Sequence, residues 1–153
     1  MVTVLVNGAA ISQAVLGSRN GDQKEKEDKT EYTLDIRTQD RNQVTRTTLA
    51  ADNEDILWVY GQVRCNKPEV DTSSLTQALS FSTEGPDVSW LVLGKAQMVE
   101  GFKVVQVRAG PPFPDAQLTA GQASVRVSTI IEGKQISGPV RLDLSRLIIE
   151  VLV

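Results

Sequence analysis

Apolar and polar residues alternate with a period of two along most of this 153-residue chain. In the segment EYTLDIRT, Leu34 and Ile36 lie on an apolar face, and Asp35 and Arg37 lie on the opposite, polar face. Such alternation predicts a half-buried strand. The turn-like QDRNQ and the threonine-rich VTRTTLA follow at once, so the pattern predicts a hairpin here.

The segment DILWVYGQVRC gives the strongest strand prediction. One of its faces is apolar throughout, and we expect its members to be buried: Leu57, Val59, Gly61, Val63 and Cys65. The other face begins with Trp58 and Tyr60 and turns polar at Gln62 and Arg64.

Further strands are predicted in DVSWLVLG, GFKVVQVRAG and RLIIEVLV, and ASVRVSTIIEGKQISGPVRLDLS predicts two strands joined by a turn at EGKQ. DTSSLTQALS suits one short helix capped by Asp71, whereas GAAISQAVLG suits either a helix or a strand. The sequence therefore predicts a single all-β domain over residues 1–153. We expect an antiparallel β-sandwich of about nine strands with at most one or two short helices.

The most polar stretch is RNGDQKEKEDKTE, with four basic and five acidic residues and no aliphatic one. A calcium-binding EF-hand loop starting at Asp22 would need an oxygen ligand at Lys24, so that motif fails. A mixed charge run without apolar residues has nothing to bury. We expect residues 18–31 to form a charged, flexible loop.

Composition narrows the possible chemistry. The formal net charge of −3 gives no general attraction to nucleic acid or to an anionic membrane. The chain has one cysteine and no histidine, which excludes a thiolate metal cluster and a catalytic triad built from this chain. Phosphate-loop, dinucleotide-binding and serine-hydrolase motifs do not occur. We expect no cofactor and no enzymatic activity, although a carboxylate-pair hydrolase leaves no local signature and stays open.

The beginning of the chain bears on location. No basic residue precedes Arg19, and the first apolar run ends at an Asn-Gly pair after six residues. A secretory signal needs a charged start, and a membrane span needs a much longer apolar run. These features favour a cytoplasmic protein.

Two segments are ligand candidates. The cluster ADNED offers several hard oxygens for calcium, from Asp52, Asn53, Glu54 and Asp55, but turns also favour such residues for backbone reasons. Trp58 and Tyr60 share one strand face and could stack on a sugar, although large aromatic side chains more often pack in a core.

The segment LIIEVLV is apolar on both faces, which a strand buried on one side does not require. It is either a central strand or a contact with another chain. We expect an interface here, in a homo-oligomer or with a protein partner, at these residues: Leu147, Ile148, Ile149, Val151, Leu152 and Val153. The sequence thus favours a non-catalytic β-sandwich module acting through protein–protein contact or self-assembly. The alternative is a sandwich that binds calcium or carbohydrate.

Overall fold

The computed structural model describes residues 2–6, 9–14, 30–51, 54–109 and 120–145, and these ranges form a two-sheet sandwich. They contain eleven strands, one short helix and a single 3-10 turn at Val88–Trp90. The elements are β1 Val2–Val6, β2 Ala9–Ala14, β3 Tyr32–Gln39, β4 Thr48–Ala50, β5 Leu57–Cys65, α1 Ser73–Gln77, β6 Ser80–Glu84, β7 Leu91–Leu93, β8 Gln97–Val99, β9 Phe102–Ala109, β10 Ala120–Ile131 and β11 Lys134–Ser145. The predicted all-β sandwich is confirmed.

Both sheets are mixed rather than purely antiparallel. The larger has seven strands in the order β2-β1-β3-β5-β9-β7, with β8 also paired to β9, and the smaller has the order β4-β11-β10-β6. Strand β1 runs parallel to β3, and β4 runs parallel to β11. Within the described ranges, the predicted antiparallel pairing therefore holds for seven strand pairs and is wrong for these two. Apolar–polar alternation shows which face of a strand is buried and carries no information about the direction of its neighbour.

The predicted hairpin of EYTLDIRT with VTRTTLA is also wrong. Next to the turn, one isolated bridge forms between Gln39 and Thr45, and the Arg46 amide donates to the Thr38 carbonyl at 3.4 Å, but no ladder of paired residues follows. The chain then crosses to the smaller sheet, where β4 pairs with β11 and Leu49 is fully buried. Burial of that leucine in the core stabilises this placement of β4.

The core lies between the two sheets, which approach each other closely at Gly138 of β11. A Cβ atom added there would lie 2.6 Å from Val4 Cγ1 and 3.0 Å from Ile36 Cδ1. A glycine is therefore what allows the sheets to pack at this point. On β5, the predicted burial of Leu57, Val59 and Val63 is confirmed.

Cys65 departs from its predicted burial and is half-buried. It is the last residue of β5, where the cover from the opposite sheet ends, and its Sγ accepts a hydrogen bond from the Lys67 amide at 3.5 Å. The ambiguous segment GAAISQAVLG forms a strand, β2, over Ala9–Ala14.

The turn and helix predictions are confirmed. Glu132 and Gly133 join β10 to β11 with positive φ angles of 53° and 78°, as a tight two-residue hairpin turn requires. Helix α1 forms within the predicted segment, but its N-cap residue is Thr72 and not the predicted Asp71, whose carboxylate accepts a hydrogen bond from the Ser73 amide at 2.9 Å.

Candidate functional site

The outward face of the larger sheet differs in charge from the rest of the protein. The register of β3, β5 and β9 places four residues of each strand on this face: Thr33, Asp35, Arg37, Gln39, Trp58, Tyr60, Gln62, Arg64, Phe102, Val104, Gln106 and Arg108. Three arginines and one aspartate give these positions a formal charge of +2, whereas the whole chain carries −3. The face is therefore a local positive surface with three aromatic side chains.

At its centre lies Asp35, which is only 3% exposed although it points away from the core. Arg37 donates from Nε to Oδ1 at 3.2 Å and from Nη2 to Oδ2 at 3.0 Å. Arg64 forms an ion pair with Oδ2 through its Nη2 at 3.1 Å. Burying a carboxylate is costly, and two guanidinium groups offset that cost here.

Neighbouring side chains hold the two arginines in place. Arg64 Nε donates to Gln62 Oε1 at 2.8 Å, and Gln62 Nε2 donates to the Gly101 carbonyl at 3.0 Å. Arg37 lies over the Phe102 ring, with its Cζ 5.2 Å from the ring centre, which is a cation–π distance. Both arginines are thus restrained on more than one side.

The aromatic part of this arrangement is a pair of rings. Tyr60 and Phe102 meet edge to face, with ring centres 5.9 Å apart and planes at 88°. The two-residue turn at Glu100 and Gly101, with φ angles of 51° and 86°, starts β9 at Phe102. We call the connected set the Asp35 cluster: Asp35, Arg37, Tyr60, Gln62, Arg64 and Phe102.

Both guanidinium groups remain available to solvent. The side chains of Arg37 and Arg64 are 44% and 51% exposed. A guanidinium has five N–H donors, and each of these arginines uses two of them in bonds to described residues. Three donors on each arginine are therefore free of bonds within the part of the chain that the structure describes. Such donors suit an anionic group with two oxygens.

The predicted ligand residues Trp58 and Tyr60 lie on this same face and are half-buried. Tyr60 belongs to the Asp35 cluster, and Trp58 occupies the outward position between Gln39 and Gln106. Alternation had placed them on the face opposite Leu57 and Val59, while their size favoured core packing; the structure has them half-buried on the outward face.

Sequence reasoning assigned Asp35, Arg37 and Arg64 to polar strand faces but gave them no role. The missing signal was the strand register, which pairs Asp35 with Gln62 and Thr33 with Arg64. A lone aspartate among alternating residues looks solvated until its neighbours across the sheet are known.

The acidic segment ADNED contributes an ion pair in the described part of the chain. Asp55 accepts from Arg46 Nη1 and Nη2, both at 2.8 Å, and from the Ala50 amide at 2.9 Å. The hydrogen bonds from Arg46 lower the pKa of Asp55 below its ordinary value. Glu54 is exposed, and Asp52 and Asn53 lie outside the described residues.

Calcium binding at ADNED stays a prediction. Both carboxylate oxygens of Asp55 already accept hydrogen bonds. Among the described residues, no group of three or more His, Cys, Asp or Glu could hold a metal ion.

Two further predictions lie mostly or wholly beyond the described ranges. Of the charged segment 18–31, only Thr30 and Glu31 are described. All six predicted interface residues are outside the described residues: Leu147, Ile148, Ile149, Val151, Leu152 and Val153. Both stay predictions.

No protein-family model, no curated protein and no solved structure matches this chain. Among the helices in the described ranges, none has the length and apolar character needed to cross a membrane.

Proposed function

We propose that this protein is a non-catalytic β-sandwich module that contacts a protein partner through the outward face of its larger sheet. The observation that carries the proposal is the Asp35 cluster. An almost fully buried carboxylate there restrains two half-exposed arginines beside a pair of aromatic rings.

The residue types of this face support the proposal. Tyrosine, tryptophan and arginine dominate the energetics of protein–protein interfaces. Arginines that are already restrained lose less side-chain freedom when a partner binds, so more of the contact energy contributes to affinity. Burying an unpaired carboxylate costs several kcal/mol, and the packing of an outward face does not require a buried carboxylate.

Catalysis is outside the proposal. The Asp35 cluster contains one carboxylate, which accepts hydrogen bonds from Arg37 and forms an ion pair with Arg64. A glycosidase-like mechanism needs two carboxyl groups facing one bond, one of them able to give up a proton.

The partner is either another protein or a second copy of this chain. The apolar segment at Leu147–Val153 is proposed as a further contact in such an assembly. Carbohydrate is the second candidate ligand for the same face, because Trp58 and Tyr60 are both half-exposed there. The edge-to-face contact of Tyr60 with Phe102 makes this surface less flat than sugar stacking prefers.

The experiment is recovery of partners from the cells that make the protein, using two charge-reversed variants. Arg64→Glu changes the proposed face, and Arg141→Glu makes the same change at an exposed position on the outward face of the smaller sheet. We expect one defined protein, or an untagged second copy, to be recovered with the wild type and Arg141→Glu. Recovery should fall about tenfold or more with Arg64→Glu, which corresponds to about 1.4 kcal/mol.

Thermal melts must first show that both variants are folded. Equal recovery by the two variants, or no specific protein with any of them, contradicts the proposal. A glycan retained by the wild type and lost in Trp58→Ala would favour the carbohydrate candidate instead.

A further inference from the structure

We infer that the partner presents an acidic segment whose aspartate or glutamate carboxylates bind Arg37 and Arg64. This inference rests on the proposed function and adds the chemistry of the partner. Two features of the molecule support it: the charge of the face and the free donors of the two guanidinium groups.

The charge of the face is complementary to an acidic segment. Its outward positions on β3, β5 and β9 contain arginines at 37, 64 and 108, one aspartate, and no lysine or glutamate. Glu100 in the adjoining turn lowers the local sum from +2 to +1. A positive surface on a chain of net charge −3 favours approach of a negative partner at this face over others.

The geometry suits carboxylates. Asp35 accepts two hydrogen bonds from Arg37 and pairs with Nη2 of Arg64, whose Nε donates to Gln62. The three remaining donors of each arginine can form paired bonds to the two oxygens of an incoming carboxylate. Since Asp35 and Phe102 already restrain the guanidinium groups, little rearrangement is needed.

A nucleic acid fits the same face less well. Its affinity comes from many phosphate contacts, each made by a lysine or arginine. Three arginines, one of them paired twice to Asp35, supply few such contacts on this face. An acidic protein segment needs only one or two carboxylates to satisfy the free donors.

The probe for the test is a hexaglutamate peptide, titrated into nitrogen-labelled protein while the arginine Nε–Hε signals are followed by NMR. Hexalysine and a single-stranded hexathymidylate serve as the comparison ligands. We expect hexaglutamate to shift the Arg37 and Arg64 signals saturably, with affinity that falls as salt is added. Arg37→Met and Arg64→Met should each weaken binding about fivefold or more, whereas Arg141→Met should leave it unchanged.

Each arginine is replaced singly, so that binding is measured in proteins that keep one partner for Asp35. Absence of Arg37 and Arg64 shifts with hexaglutamate overturns the inference, as does tighter binding of hexathymidylate. A hexaglutamate affinity that Arg64→Met leaves unchanged overturns it too. If Arg64→Glu still abolishes partner recovery in any of these cases, the inference fails and the proposed function stands. If recovery is also unaffected, both fail.

Discussion

Replacement of the two arginines that hold Asp35 should show strong non-additivity. Arg37→Met and Arg64→Met each remove the charge and the donors but keep an aliphatic stem over the sheet. In either single variant the other arginine still pairs with the carboxylate. In the double variant, the Asp35 cluster offers the carboxylate no cation.

The exposed fractions of the side chains set the magnitudes. The arginine side chains are 44% and 51% exposed, so each single substitution should cost about 0.5–1 kcal/mol, as solvent-screened pairs do. The Asp35 side chain is only 4% exposed, and a buried charge without a partner costs about 3–5 kcal/mol. We expect the double variant to lose about 3 kcal/mol, the lower end of that range because solvent reaches both arginine positions. The loss then exceeds the sum of the single effects by at least about 1 kcal/mol.

The assay is urea unfolding of the wild type, both single variants and the double variant. Tryptophan fluorescence reports the transition, since Trp90 is buried and Trp58 lies on the face itself. Arg141→Met, at an exposed position on the other sheet, should change the free energy of unfolding by less than about 0.5 kcal/mol. If the two effects on the free energy of unfolding add within about 0.5 kcal/mol, then Arg37 and Arg64 do not jointly stabilise the buried charge of Asp35.

Three further outcomes are expected. Gly138→Ala should destabilise the fold by about 1–3 kcal/mol in urea unfolding, because the new methyl group meets the opposite sheet at 2.6 Å, while Gly94→Ala, with its nearest contact at 3.4 Å, should be close to neutral. The Arg46 hydrogen bonds lower the pKa of Asp55 in the folded protein. Their contribution to the free energy of unfolding is therefore complete above the unfolded-state pKa of about 4, and it is lost as the pH falls through the lower folded-state pKa. Urea midpoints should therefore drop as the pH falls below about 4, less steeply in Asp55→Asn. Light scattering should show an oligomer that Ile149→Lys converts to a smaller species, and a clean wild-type monomer at high concentration would contradict self-assembly through the C-terminal segment.

The sequence predicted those parts of the fold that depend on local pattern. The inward residues of β5 were recognised because burial alternates along a strand, and the turn between β10 and β11 because the polar segment EGKQ contains Gly133, which suits a positive φ angle. The two parallel strand pairs and the position of β4 in the smaller sheet were missed. Both depend on which strands become neighbours: β4, for example, pairs with β11 and buries Leu49.

The candidate site was only half predictable for the same reason. Trp58 and Tyr60 were singled out by their size and shared face. Asp35 and Arg64 are 29 positions apart in the numbering, and their contact exists only through the register of β3 with β5. The ion pair of Arg46 with Asp55 was likewise invisible, since it requires the chain between β3 and β5 to fold back on itself.

Site-specific photocrosslinking in the cells that make the protein tests the central claim most directly, that the outward face of the larger sheet is the binding surface. A photoreactive phenylalanine at Gln62 places the probe inside the Asp35 cluster, and the same residue at Ser124 places it on the outward face of the smaller sheet. If a partner binds this face, a discrete crosslinked product should form from position 62 and none from position 124, and the product should be lost when Arg64→Glu is added. Crosslinking from position 124 alone, or equally from both positions, would contradict the central claim.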